Sequence, residues 1–185
     1  MICGLGNPGP AYDTTRHNVG WWLVDRLSGD WGLGPFHQSG PALAAFGRVG
    51  DHEVLLLKPV TYMNRSGAAV APARTDPDVD ISRDLLVVVD DAALDVGRVR
   101  LRPSGSDGGH NGLRSVEAAL GTRNYARLRI GVGAPPEDVE LSDWVLSPFD
   151  ADDEAAVLDL MPELVDAVRT WMEDGVEAAM SRYNR

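Results

Sequence analysis

Five polar residues stand where apolar segments of the chain end: Asn7, His17, Asn64, Asp90 and Asn111. An imidazole, a carboxylate and three carboxamides hold the parts needed for hydrolysis by water. A histidine in the first turn of a helix feels the positive end of the helix dipole, which disfavours its imidazolium form and leaves a free base near neutral pH. An aspartate bonded to one ring nitrogen fixes the tautomer, so that the other nitrogen can take a proton from water. Asparagine amides carry both donors and acceptors and suit the holding of that water and of a developing oxyanion. No serine lies in a G-x-S-x-G elbow, and the one cysteine, Cys3, falls in the first strand, so no covalent nucleophile is evident. The histidines at 17, 37, 52 and 110 lack H-E-x-x-H or a similar metal spacing. Each residue taken alone has a plainer role as a cap, a packing residue or a turn former. The residues by themselves lead to a hydrolase or a ligand site and leave the two open.

Such groups meet only if the elements that carry them end together. Strand-like and helix-like segments alternate along the chain, the pattern of an α/β fold with a largely parallel or mixed sheet. A short apolar start at 1–3 enters a Gly/Pro loop, and Thr14 or Thr15 is expected to cap a helix running to about Leu27, with Val19, Trp22, Leu23 and Leu27 on one face. Residues 42–49 and 53–58 read as a hairpin turned at Gly50 and Asp51. A short helix is expected after Asn64, ended early by Pro72, and 76–83 reads as loop. The run 85–89 is continuously apolar, as in a strand buried on both faces. Residues 97–102 read as a strand with alternating arginines, 103–110 as a Gly/Ser loop, then a helix from Asn111 or Ser115 to Leu120 and a strand over 125–132. After a Pro/Glu/Asp linker, 151–174 is helical by pattern, and Gly175 breaks it before a last short helix. In an open α/β sheet, ligands bind in the crevice beyond the carboxyl ends of the strands, where the polar residues are expected to converge.

Composition bounds the rest. With 185 residues, 44% apolar and 24% charged, the chain has ordinary globular usage and room for one domain. No run approaches the ~18 apolar residues of a membrane span. The first residues show no basic leader and no long apolar stretch, so cytoplasm is the expected location. A lone cysteine cannot form an internal disulfide. The net charge of -11 argues at first against a nucleic-acid partner. The charge is uneven, however: between 98 and 129 seven arginines face two acids, a local +5, whereas from 134 onward three arginines face fourteen acids. A protein acidic overall can still present one basic face.

Gly4, Gly6 and Gly9 satisfy G-x-G-x-x-G, so a dinucleotide-binding loop is the rival reading. Only three residues precede the pattern, and Pro10 to Thr14 intervene before any helix, so no helix N-terminus would sit on a pyrophosphate. A tight loop holding the Asn7 amide at a strand end is the better reading.

Five separated motifs, Gly4-Leu5-Gly6-Asn7-Pro8-Gly9, Tyr12 with Thr15-Arg16-His17-Asn18-Val19-Gly20, Lys58-Pro59-Val60-Thr61-Tyr62-Met63-Asn64-Arg65-Ser66-Gly67, Gly105-Ser106-Asp107-Gly108-Gly109-His110-Asn111-Gly112-Leu113 and Arg127-Leu128-Arg129-Ile130-Gly131-Val132-Gly133, occur in order. With the acidic helical tail they span essentially the whole chain, which resembles the bacterial peptidyl-tRNA hydrolases. The resemblance implies one domain over 1–185, an α/β fold with a twisted, mixed, mostly parallel sheet flanked by helices. It also implies hydrolysis of the ester between a peptide and the terminal ribose of tRNA, with no metal, no cofactor and no obligate protein partner, by a monomer. By motif match His17 resembles the general base and Asp90 its orienting acid, while Asn7, Asn64 and Asn111 resemble the amides that hold substrate, water and oxyanion. Tyr12, Tyr62 and Met63 are implied as walls of the substrate cleft, His110 as its neighbour, and Arg102 and Arg129 as the grip on the 5′-phosphate end of tRNA. Against the family pattern, the first strand lacks a few residues, which implies a start upstream. Ala93 replaces a usual Asp, Val89 a usual polar or aromatic residue, and Pro72 shortens a helix. The two substitutions motivate the rival that this is a degenerate relative which binds tRNA without catalysis, and the Asp90-Asp91 pair leaves a register of one residue to settle.

Overall fold

The apolar run at 85–89 becomes the middle of a sheet. In the computed structural model, which describes residues 1–184, the chain forms β1 (Ile2–Gly4), a 3-10 turn (Arg16–Asn18), α1 (Val19–Trp31), β2 (His37–Ser39), β3 (Ala42–Val49) and β4 (His52–Pro59). Two 3-10 segments, Met63–Ala69 and Ala71–Arg74, lead to α2 (Ile81–Asp84), β5 (Leu86–Asp91), β6 (Val99–Arg102), α3 (Asn111–Leu120), β7 (Ala126–Gly131), α4 (Leu141–Val145), α5 (Ala151–Asp174) and α6 (Val176–Tyr183). The strands form one seven-stranded sheet in the order β2-β3-β4-β1-β5-β7-β6. The inner strands β4, β1, β5 and β7 are parallel, while β3 and β6 run against their neighbours. This is the mixed α/β sheet expected from the alternation of segments.

Side chains on β5 alternate between two apolar layers, as the period of a strand requires. Leu86 and Val88 pack with Val19, Leu23 and Leu27 of α1 and with Val157, Leu164 and Val168 of α5. Val87 and Val89 pack on the other side with Leu113 and Val116 of α3 and with Met63. Val89, where a polar or aromatic residue was the family expectation, is a fully buried member of that second layer.

Close backbone approach aims α1 at the strand ends. A Cβ on Gly20 would lie 2.7 Å from both the Leu5 and the Val88 carbonyl oxygens, and one on Gly4 would lie 2.2 Å from the Gly20 oxygen. Only hydrogen fits there, so the first turn of α1 rests directly on β1 and β5, and the residues just before it reach the carboxyl end of β5.

Several boundaries differ from the pattern reading. Helix α1 opens at Val19, because the Thr15 hydroxyl bonds back to the Tyr12 carbonyl at 2.8 Å instead of capping, and residues 16–18 coil as a 3-10 turn. It continues to Trp31, where Gly32 at φ 63° supplies the left-handed C-cap. The helix expected after Asn64 is 3-10 and starts at Met63, and Pro72 sits at the start of the second 3-10 segment. Within 76–83, Asp80 caps α2 by accepting the Ser82 N–H at 3.0 Å. Strand β2 and helix α4 were not expected: β2 is three exposed polar residues, and α4 lies in the acidic linker. Among the described residues no helix is long and apolar enough to cross a membrane.

Candidate active site

Asp90 closes the buried run of β5 and is itself only 3% exposed. The Nδ1 of His17 donates to Asp90 Oδ1 at 2.7 Å, and the Nε2 of His110 donates to the same oxygen at 3.0 Å. His110 is the N-cap of α3: its Nδ1 accepts the backbone N–H groups of Gly112 and Leu113 at 3.1 and 3.3 Å, which places its ring hydrogen on Nε2. Burial alone would raise the Asp90 pKa, but the His17 and His110 rings outweigh it and hold the carboxyl well below the usual carboxylate range. A carboxylate facing Nδ1 keeps the His17 hydrogen on that atom and leaves Nε2 with a free lone pair. Asp91 turns elsewhere, accepting the Ala93 N–H at 2.9 Å and Arg129 Nη1 at 3.2 Å, so Asp90 is the carboxylate that meets His17. Ala93 thus supplies a backbone donor, for which its side chain is immaterial.

Ligand atoms of His17, Asp90 and His110 lie within 4.8 Å of one another, a set that could hold a cation. For Nε2 of His110 to ligate, its hydrogen would have to move to Nδ1, against two backbone N–H groups. The donors fit a hydrogen-bonded cluster better than a metal cage.

Asn7 is fixed from three sides. Its N–H donates to Asn18 Oδ1 at 2.8 Å, its carbonyl accepts from Asn18 Nδ2 at 3.0 Å, and its own Oδ1 accepts the Met63 N–H at 2.8 Å. The Nδ2 amine is the part left for a ligand. Beside it runs a cleft of about 270 Å³, lined by Asn7, Tyr12, His17, Tyr62, Met63, Asn64 and Asn111 from the sequence reading, and by Ser142, Val145 and Leu146. Tyr12 and Tyr62 meet edge to face with ring centroids 6.4 Å apart. Met63 is buried, its sulfur so close to Gly112 that a Cβ there would lie 2.5 Å away. Asn64 and Asn111 are exposed at the cleft, and Asn111 Oδ1 accepts from Arg114 at 3.2 Å. With Nδ1 committed to Asp90, Nε2 is the His17 nitrogen available to this cleft. His110, expected as a neighbour of the cleft, is outside its lining and reaches it through Asp90.

Three contributors were missed. Asn18 is fully buried and organises Asn7. The α4 segment supplies the wall of Ser142, Val145 and Leu146. Arg16, beside His17, staples that wall down: it donates to Ser147 Oγ at 2.8 Å and to the Pro148 carbonyl, and its guanidinium lies 3.5 Å from the centre of the Trp144 ring. The signal available was a charged residue inside an otherwise buried helix approach.

The predicted basic residues lie away from the cleft lining. Arg102 is exposed, and among the described residues its side chain bonds only to the Leu101 carbonyl, at 3.2 Å. Arg129 is held by Asp91 and by the Ser106 carbonyl at 3.0 Å. Arg127, counted in the basic segment, is fully buried and ties down the Gly105 and Ser106 carbonyls of the loop before His110. The Gly4/Gly6/Gly9 pattern opens no helix, since α1 begins only at Val19, so the dinucleotide reading loses its anion-binding terminus. Cys3 is buried, which pushes its thiol up to about 12 and removes it as a nucleophile near neutral pH.

Known proteins match this chain along its whole length. A family model described as peptidyl-tRNA hydrolase matches residues 1–185. Peptidyl-tRNA hydrolase of Salinibacter ruber is 49% identical over 184 residues, covering 100% of this chain and 97% of that protein. The Symbiobacterium thermophilum protein of the same name is 48% identical over 186 residues, covering 100% and 98%. The crystal structure of peptidyl-tRNA hydrolase from Acinetobacter baumannii superposes with a TM-score of 0.90 at 32% identity, covering 99% of this chain and 94% of that one.

Proposed function

The chain belongs to the peptidyl-tRNA hydrolase family, whose members are ester-bond hydrolases, and we propose that His17 drives that hydrolysis by activating water. Nε2 of His17 takes a proton from a water in the cleft, and the oxygen adds to the carbonyl carbon of the ester joining peptide to terminal ribose. The imidazolium that forms is stabilised by the Asp90 carboxylate bonded at Nδ1. The tetrahedral oxyanion is met by the amides of Asn7 and Asn64, with Asn111 beside them on substrate or water. Collapse breaks the bond to the ribose oxygen, which takes the proton back from Nε2, leaving free peptide and free tRNA. A general base contributes about 10²–10⁴ in rate, which is about 3–5 kcal/mol of barrier.

The observation that carries this reading is the His17–Asp90 bond, with the second ring nitrogen left to a cleft edged by three carboxamides. Tyr12, Tyr62 and Met63 on one side and Val145 and Leu146 on the other give the peptide apolar walls. Arg102 and Arg129 on the β6–β7 edge are assigned to the phosphate end of tRNA, contacts that weaken as salt rises. The reaction needs no metal or cofactor, and the protein works as a cytoplasmic monomer without an obligate partner.

Incubation of the protein with an N-acylated aminoacyl-tRNA in EDTA tests the proposal. Release of free tRNA over many turnovers is the expected result. Binding of that tRNA without its cleavage would replace the proposal with the degenerate binding module.

A further inference from the structure

Strands β6 and β7 set arginine opposite arginine. They pair antiparallel with Arg100 across from Arg129 and Arg102 across from Arg127. Val99 and Leu101 point into the core, so Arg100 and Arg102 share the other face, with Arg129 among them. Directly opposed residues of an antiparallel pair have Cβ atoms about 4.5–5.5 Å apart, close enough for like charges to destabilise the sheet. Arg127 escapes by burial among carbonyl oxygens and near Glu117, at 3.8 Å. Among the described residues Arg100 and Arg102 have no carboxylate partner. One acid reaches this stripe from β5: Asp91, whose Oδ2 lies 3.2 Å from Arg129 Nη1.

That pair is not an ordinary surface contact, since the two side chains are only 15% and 12% exposed. Asp91 is held in place by its other oxygen, which accepts the Ala93 N–H. It presents a fixed carboxylate to Arg129 Nη1, the end of the guanidinium that the Ser106 carbonyl leaves to an anion. We propose that Asp91 is an intramolecular competitor for the phosphate site at Arg129, a stand-in anion that tRNA must displace. The proposal rests on the assignment of Arg129 to the phosphate end of tRNA.

The chemistry favours exchange with one kind of phosphate. A terminal phosphate monoester carries about -1.5 to -2 charges near neutral pH and three acceptor oxygens. It can engage Arg129, Arg100 and Arg102 together, in the bidentate manner guanidinium prefers. A backbone diester brings one charge and gains little over the carboxylate already bound. Asp91 therefore screens Arg129 from diesters, which every RNA carries, and yields it to a 5′ end. Discrimination here comes from a built-in competitor as well as from attraction.

The test is a double-mutant cycle on the affinity for deacylated tRNA bearing a 5′-phosphate, measured at fixed salt in wild type, Asp91→Asn, Arg129→Gln and the double variant. Asparagine keeps an oxygen for the Ala93 N–H and loses only the charge; Asp91→Ser reads the same quantity if the first variant folds poorly. Asp91→Asn is expected to tighten binding about fivefold when Arg129 is present and under about twofold when it is Gln. The same tRNA stripped of its 5′-phosphate is expected to gain less from Asp91→Asn. Equal tightening in both backgrounds means a bulk charge effect and overturns the proposal. So does weaker binding by Asp91→Asn, which marks Asp91 as a mere anchor for Arg129. Unchanged affinity in Arg129→Gln alone removes the phosphate assignment of Arg129 and the competitor with it.

Discussion

Asn7 and Asn18 hold each other by two hydrogen bonds, N–H to Oδ1 at 2.8 Å and Nδ2 to carbonyl at 3.0 Å. This bracket, with the Met63 N–H on Asn7 Oδ1, leaves the Asn7 amine in one orientation. Catalytic amides must be set before the reaction, because a donor that has to reorient spends its stabilisation on doing so. Asn18→Ala deprives two buried backbone groups of partners, each worth about 1–3 kcal/mol. We expect a loss of about 2–6 kcal/mol in urea unfolding and a drop of about tenfold or more in single-turnover hydrolysis under conditions where the variant is folded. Unaltered unfolding together with unaltered hydrolysis means the bracket is idle.

Gly20 tests how α1 is aimed. A methyl group there meets the backbone oxygens of Leu5, just past β1, and of Val88 in β5 at 2.7 Å, and neither can rotate aside as a side chain would. Gly20→Ala should push the start of the helix off the sheet at a cost of about 1–3 kcal/mol or more, carrying His17 away from Asp90. Thermal melting and hydrolysis are expected to fall together. A variant with wild-type melting shows that the helix can shift without cost.

Asp90 gives stability a pH dependence of known sign. Its folded-state pKa lies below that of an ordinary aspartate, so in acid the unfolded chain binds the proton first. The contribution is full above the ordinary carboxylate range and is lost as pH falls through the folded-state value. Asp90→Asn removes this term, so the variant's stability should fall less steeply than the wild type's between about pH 5 and pH 2. Urea unfolding across that interval measures it. Parallel slopes for the two proteins would show that Asp90 is not held as a carboxylate by the two rings.

Much of the fold is legible in local pattern. The continuous apolar run becomes β5, the hairpin turns at Gly50 and Asp51, and Gly175 separates α5 from α6, since each signal is carried by adjacent residues. The cleft set of Asn7, His17, Asn64 and Asn111 is legible because strand ends converge in an α/β sheet. What escaped depends on partners distant in the chain. His110 reads only as a neighbour of the cleft, and nothing local shows its ring shared between its own helix cap and Asp90, twenty residues away. Arg129 reads as free charge until Asp91 is found across 38 residues. Helix α4 escapes because five residues in an acidic linker carry no usable period, and they are held by the remote Arg16–Trp144 stack.

In the proposed reaction one ring nitrogen of His17, freed by Asp90 at the other, takes the proton from the attacking water. Single-turnover hydrolysis of N-acylated aminoacyl-tRNA by His17→Ala, beside wild type and with the fold checked by circular dichroism, measures this most directly. The expected result is a folded variant slowed by about 10²–10⁴. Hydrolysis at near the wild-type rate would contradict it.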